Sequence, residues 1–241
     1  MRKKWNTSAL PVFALGLGLV MIGLRGLLYS FCIDEKGILS ASHLLHQICL
    51  VLAVGWLVFL AFRVRELGGS NDPQENFSLW PWAVAAAIAG GYLTIQHGLQ
   101  QLAPNTMNVL RLALTLLAAI SMVVSLFLRD KRGIAFRVYL CLYFSLEMLL
   151  RYRSWSGNPQ LPDYVFHVAA CASLAVCAYQ RLAFDVALGH RRWLLYWGLA
   201  AIFLCLSALV GPENWEYYLG SGLWAFSALC RLDPPVITEE F

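Results

Sequence analysis

Eight apolar stretches occupy this chain of 241 residues, and its Lys and Arg residues gather on every second gap between them. A helix needs about 20 apolar residues to cross a bilayer. Within hydrocarbon, only helices and closed barrels satisfy their own backbone polar groups. The stretches are Leu10–Phe31, Leu44–Phe62, Leu79–His97, Thr106–Leu128, Ile134–Leu150, Tyr164–Gln180, Trp193–Val210 and Trp215–Cys230. The expected fold is all-α: a polytopic membrane helix bundle of eight transmembrane helices, forming a single integral membrane domain over residues 1–241. The last stretch is short and carries Glu216 near its start. Seven spans, with the C-terminus outside, is therefore the alternative.

Charge patterning sets an expected orientation. Arg2, Lys3, Lys4, Arg63, Arg65, Arg129, Lys131, Arg132, Arg181, Arg191, Arg192 and Arg231 fall on one side, against Lys36, Arg151 and Arg153 on the other. The positive-inside rule then puts both termini in the cytoplasm, in the plasma (cytoplasmic) membrane. The basic start Met1-Arg2-Lys3-Lys4 before an apolar run could open a signal peptide. No A-x-A-like cleavage site follows, so a retained first helix is expected.

Composition excludes several classes. Charged residues make up 13% of the chain, half the roughly 25% of soluble domains. No basic stripe with interleaved aromatics stands apart from the loop pattern, so nucleic acid is not an expected partner. The expected partners are the lipid bilayer and a second membrane protein or a second copy of the chain. Seven cysteines, mostly inside apolar runs and without a CxxC, read as small hydrophobes rather than a disulfide or zinc framework. No P-loop, GxGxxG or HExxH occurs, and no loop is long enough for a soluble domain.

All nine prolines sit at span ends or in connections. Broken transporter helices carry such residues near mid-membrane, so mostly continuous helices are predicted, with Gly90-Gly91 the one interior weak point. Gly16, Gly18 and Gly23 in the first span, and Ala169, Ala170, Ala172, Ala175 and Ala178 in the sixth, are placed to let helices approach closely.

The wording LRGLLYSFCIDEKGILSASH, and later PQLPDYVFHVAACASLAVCAYQRLAF, resembles an uncharacterised family of bacterial multi-pass integral membrane proteins with no assigned function. The resemblance runs along most of the chain and implies the same multi-pass topology.

Polar residues within the spans carry the functional expectations, because a charge at the bilayer centre costs about 2.5–3.5 kcal/mol on insertion scales. Arg137 is near enough to an inner end to snorkel, and Asp185 lies just past its span, so neither calls for a special role. Arg25 is about six residues, roughly 9 Å, from the end of its span. Arg111 and Glu147 each lie about one turn inside the outer surface. Glu147 can pair with Arg25 or Arg111 across helices, or locally with Arg151 at i,i+4. His43, His46, His97 and His167 also fall at outer span ends, and Gly90, Thr94, His97 and Gln101 form a stripe on one helix face. With Tyr29, Tyr92 and Tyr143, these residues concentrate polar groups in the outer part of the bundle and leave the inner part nearly all apolar.

Three functions suit such a concentration. The groups tie helix ends together; or they line an outward-facing pocket for an anionic small molecule or lipid headgroup, centred on Arg25, Arg111, Glu147, His97 and Tyr143; or they hold a metal. In the third case His43, His46, His97 and His167, with Glu147 or Asp163, would be zinc ligands of a metal-dependent intramembrane hydrolase. Ser42-x-x-x-His46 faintly resembles the SxxxH element of membrane hydrolases of the ceramidase and progestin-receptor group, whose late HxxxH is absent here. The preferred expectation is non-enzymatic: a transport-like or partner-binding membrane component with no cofactor, zinc being implied only by the hydrolase alternative.

Overall fold

The computed structural model describes residues 9–31, 44–65, 81–100, 106–128, 131–155, 164–211 and 215–230. Among them are eight helices and no strand: α1 (Ala9–Phe31), α2 (Leu44–Arg65), α3 (Pro81–Gln100), α4 (Thr106–Phe127), α5 (Lys131–Trp155), α6 (Val165–Asp185), α7 (Arg191–Ser207) and α8 (Trp215–Cys230). Five of them, α1, α2, α4, α5 and α6, contain segments long and apolar enough to cross a membrane. By length and composition the chain is a multi-pass membrane protein. Each helix is continuous, including α3 across Gly90-Gly91, as the placement of prolines predicts.

The remaining helices differ for separate reasons. α3 is long enough, but Gly90, Gly91, Gln96, His97 and Gln100 dilute its apolar character. α7 and α8 have only 17 and 16 residues, about 25 Å each at 1.5 Å per residue. Their burial explains how they can be short. α7 packs against α1, α2, α6 and α8, while α8 packs against α3, α6 and α7. From Gly198 to Ser207 every α7 residue is buried. A helix that is apolar all round belongs in a core. The α7–α8 pair is that core, with α3, α4, α5 and α6 following one another around α8, and α1 and α2 against α7. Val12, Leu19, Val51, Phe62, Ile120 and Leu142 stay exposed on the surrounding helices, as lipid-facing side chains do.

The close approaches are not all where small residues predicted them. Gly18 does abut the Leu206 side chain, yet a Cβ at Gly16 or Gly23 would meet nothing within 4 Å. A close backbone contact joins α3 to α8, where a Cβ at Gly90 would stand 2.7 Å from the Gly220 carbonyl oxygen. The Gly90-Gly91 pair is a packing surface, not a break.

Candidate functional site

Successive helices alternate in direction, so the C-terminal ends of α1, α3, α5 and α7 meet the N-terminal ends of α4, α6 and α8. Their contacts make one polar end. Its centre is Glu147 of α5. Arg111 of α4 grips the carboxylate with two bonds, Nε to Oε1 at 3.1 Å and Nη2 to Oε2 at 2.8 Å, the fork geometry that makes guanidinium–carboxylate pairs strong. Arg151, one turn further along α5, donates Nε to Oε2 at 3.4 Å. The interhelical and local pairings of Glu147 therefore coexist.

Arg151 is the hub of this end. The apolar pattern ends at Leu150, but α5 continues to Trp155, which carries Arg151 into the bundle instead of onto a loop. Its Nη2 lies 3.0 Å from His97 Nε2 on α3, and its Nη1 lies 3.4 Å from the Tyr218 hydroxyl on α8. The guanidinium sits over the Tyr217 ring, 4.0 Å from its centroid, an attraction that strengthens out of water. Glu147, Arg151 and His97 are all buried, whereas the Arg111 side chain keeps 31% of its surface exposed. Beside them, Gln100 donates to Glu216 at 2.7 Å.

Tyr143 and Tyr217 add buried hydroxyls. Tyr143 is buried one turn before Glu147 on α5, and Tyr217 stacks beneath Arg151.

Arg25 is anchored elsewhere. Its Nη1 donates to the Ser207 carbonyl at 2.6 Å, its Nη2 reaches the Tyr29 hydroxyl at 3.5 Å, and its guanidinium lies 4.6 Å from the Phe166 ring centroid. It thereby occupies a carbonyl that the end of α7 leaves without a helical partner. His167 is buried against Tyr218, with ring centroids 5.1 Å apart, and against the Gly211 backbone. His46 is buried at the start of α2. His43 and Asp163 lie outside the described residues. No group of three His, Cys, Asp or Glu among the described residues stands placed to hold a metal ion. Within the α3 stripe, Gly90, Thr94 and His97 are buried, while Gln101 lies outside the described residues. Tyr92 is exposed and accepts from Gln96 at 2.6 Å.

The opposite end is not nearly all apolar. Arg137 on α5 and Arg181 on α6 both donate Nε to Asp185 Oδ2, and all three side chains are at most 7% exposed. Arg137 Nη2 also caps α4, donating to the Ser125 and Leu128 carbonyls at 3.1 and 2.9 Å. Arg137 therefore does not snorkel, and Asp185 has a defined role. A cavity of about 10 Å³ beside them is lined by Arg137, Arg181, Ser125 and Trp224, room for about one water. The i,i+4 spacing of Arg181 and Asp185 was visible in sequence; the interhelical partner was not.

No protein family, curated protein or solved structure matches this chain.

Proposed function

We propose that this chain is a non-enzymatic membrane component, transport-like or partner-binding, that holds an anionic small molecule or lipid headgroup at the end built on Arg111, Glu147, His97, Arg151 and Tyr143. In this reading all eight helices cross the plasma membrane and both termini are cytoplasmic, so the polar end faces outward. The cation distribution of the sequence supports the orientation.

The observation that carries the proposal is the state of Arg111. Two bonds to Glu147 fix its guanidinium, yet about a third of the side chain remains accessible. A fixed, accessible guanidinium suits the oxygens of a phosphate or carboxylate. The Tyr143 hydroxyl, one turn before Glu147 on α5, provides a further donor.

The test uses purified protein in phosphatidylcholine nanodiscs. Inorganic phosphate probes a free anion, and nanodiscs containing phosphatidylglycerol probe a headgroup. The expected result is a rise in melting temperature with one of the two that is lost in Arg111→Gln, over and above the fall that breaking its bonds to Glu147 causes in the ligand-free protein. If Arg111→Gln lowers stability equally with and without either probe, the groups are helix ties and the proposal fails. Reporter fusions placing the two termini on opposite faces would overturn the orientation.

A further inference from the structure

An arginine side chain has five N–H donors and no acceptor. The 3.0 Å contact between Arg151 Nη2 and His97 Nε2 is therefore a hydrogen bond only when Nε2 offers its lone pair. His97 must be neutral there, with its ring proton on Nδ1. A proton on Nε2 would remove the acceptor and leave two cations facing each other.

From this geometry we infer that His97 is a proton-operated latch on the polar end. Neutral His97 ties α3 to the Arg151 hub; protonated His97 releases Arg151. This bond is the shortest of the three polar contacts described for Arg151, the reaches to Glu147 and to the Tyr218 hydroxyl being 3.4 Å. The charged groups that act on the His97 ring are Arg151, Glu147, Arg111 and Glu216, contributed by α4, α5 and α8. The ring also packs against Tyr217, centroids 5.4 Å apart. Of the two carboxylates that act on the ring, Glu147 is already held by two arginines and Glu216 accepts from Gln100. The proton comes from solvent and returns to it, and no bond other than N–H forms or breaks.

The direction follows from linkage. A group that must be neutral in the folded state stabilises it above the unfolded histidine pKa of about 6.5, and that contribution is lost as pH falls. If the anion site proposed above is correct (the one point at which this inference leans on it), acidification also frees Arg151 and adds the charge of His97. Anion binding should then take up a proton and strengthen with acid, because coupling is reciprocal.

The measurement is the melting temperature of the ligand-free protein in phosphatidylcholine nanodiscs between pH 8 and pH 5. The wild type should fall with acidification more steeply than His97→Gln, whose side-chain oxygen still accepts from Arg151 but does not titrate. Equal slopes overturn the latch and leave the anion site untouched. If neither phosphate nor phosphatidylglycerol shifts the protein at any pH while the slopes differ, the anion site fails and the latch stands. Should His97→Gln fail to fold, ¹⁵N-histidine NMR of the wild type decides the question, with His97 assigned through substitutions of the other histidines. A neutral ring protonated on Nδ1 at pH 8 supports the latch; protonation on Nε2 overturns it.

Discussion

Arg137 Nε and Asp185 Oδ2 lie 2.9 Å apart, and Arg181 Nε reaches the same oxygen at the same distance. Asp185 thus sets one negative charge between two buried arginines from different helices, while Arg137 closes the end of α4. Removing one member of such a group leaves buried charge uncompensated, at a cost of about 3–5 kcal/mol. Asp185→Asn should destabilise the protein on that scale in reversible denaturant unfolding. The same change in an Arg181→Met background should cost less, since the two sites share one interaction.

Glycine substitutions should separate packing surfaces from lipid-facing ones. Gly90→Ala puts a Cβ 2.7 Å from the Gly220 carbonyl, and Gly220→Ala puts one 2.9 Å from the Gly90 carbonyl. Each should lose about 1–3 kcal/mol by overpacking. Gly16→Ala and Gly23→Ala meet open space and should be neutral or gain a few tenths of a kcal/mol, up to roughly 1, from helix propensity. Melting temperatures of the four variants check this.

The connection from α6 to α7 contains a local strain. Ala187 has φ of 60°, where a Cβ costs about 1–2 kcal/mol, and it follows the α6 C-cap Val186, a position that favours glycine. Part of the gain from glycine is offset by its unfolded-state entropy. Ala187→Gly should raise stability by roughly 0.5–1 kcal/mol, read from the shift in unfolding midpoint.

Tyr143→Phe removes one buried hydroxyl and leaves the ring in place. The ligand-free variant should stay within about 1.5 kcal/mol of wild type. Its melting-temperature response to phosphate or phosphatidylglycerol should shrink. An undiminished response would remove Tyr143 from the anion site.

Hydrophobic runs fixed the helices closely in sequence; the last stretch, Trp215–Cys230, coincides with α8. Length gave the helices because backbone satisfaction in lipid leaves no other solution. What the runs could not give was which helices are central, since an apolar residue facing lipid and one facing protein look alike. Hence Gly16 and Gly23 read as contact points while they face open space. Arg151 was legible only as the i,i+4 partner of Glu147; its contacts with His97, Tyr217 and Tyr218 were hidden, because it lies beyond Leu150, where apolar character stops, but a helix does not stop where hydrophobicity does. Arg111 and Glu147 were legible as a pair because two opposite charges at one depth have strong reason to meet. Arg25 was not resolved, because a backbone carbonyl at the end of another helix leaves no mark in composition.

The α7–α8 core also bears on how the protein is made. A ribosome delivers α1 through α6 before the pair around which they pack, so the early helices must wait with their inward faces unmatched. Arg111, Glu147 and Arg151 can already join at that stage, holding α4 beside α5, but His97 and Arg25 gain their α8 and α7 neighbours only after those two helices have been made. A chain stalled before α7 and α8 would therefore present quality-control proteases with charges that the complete bundle buries.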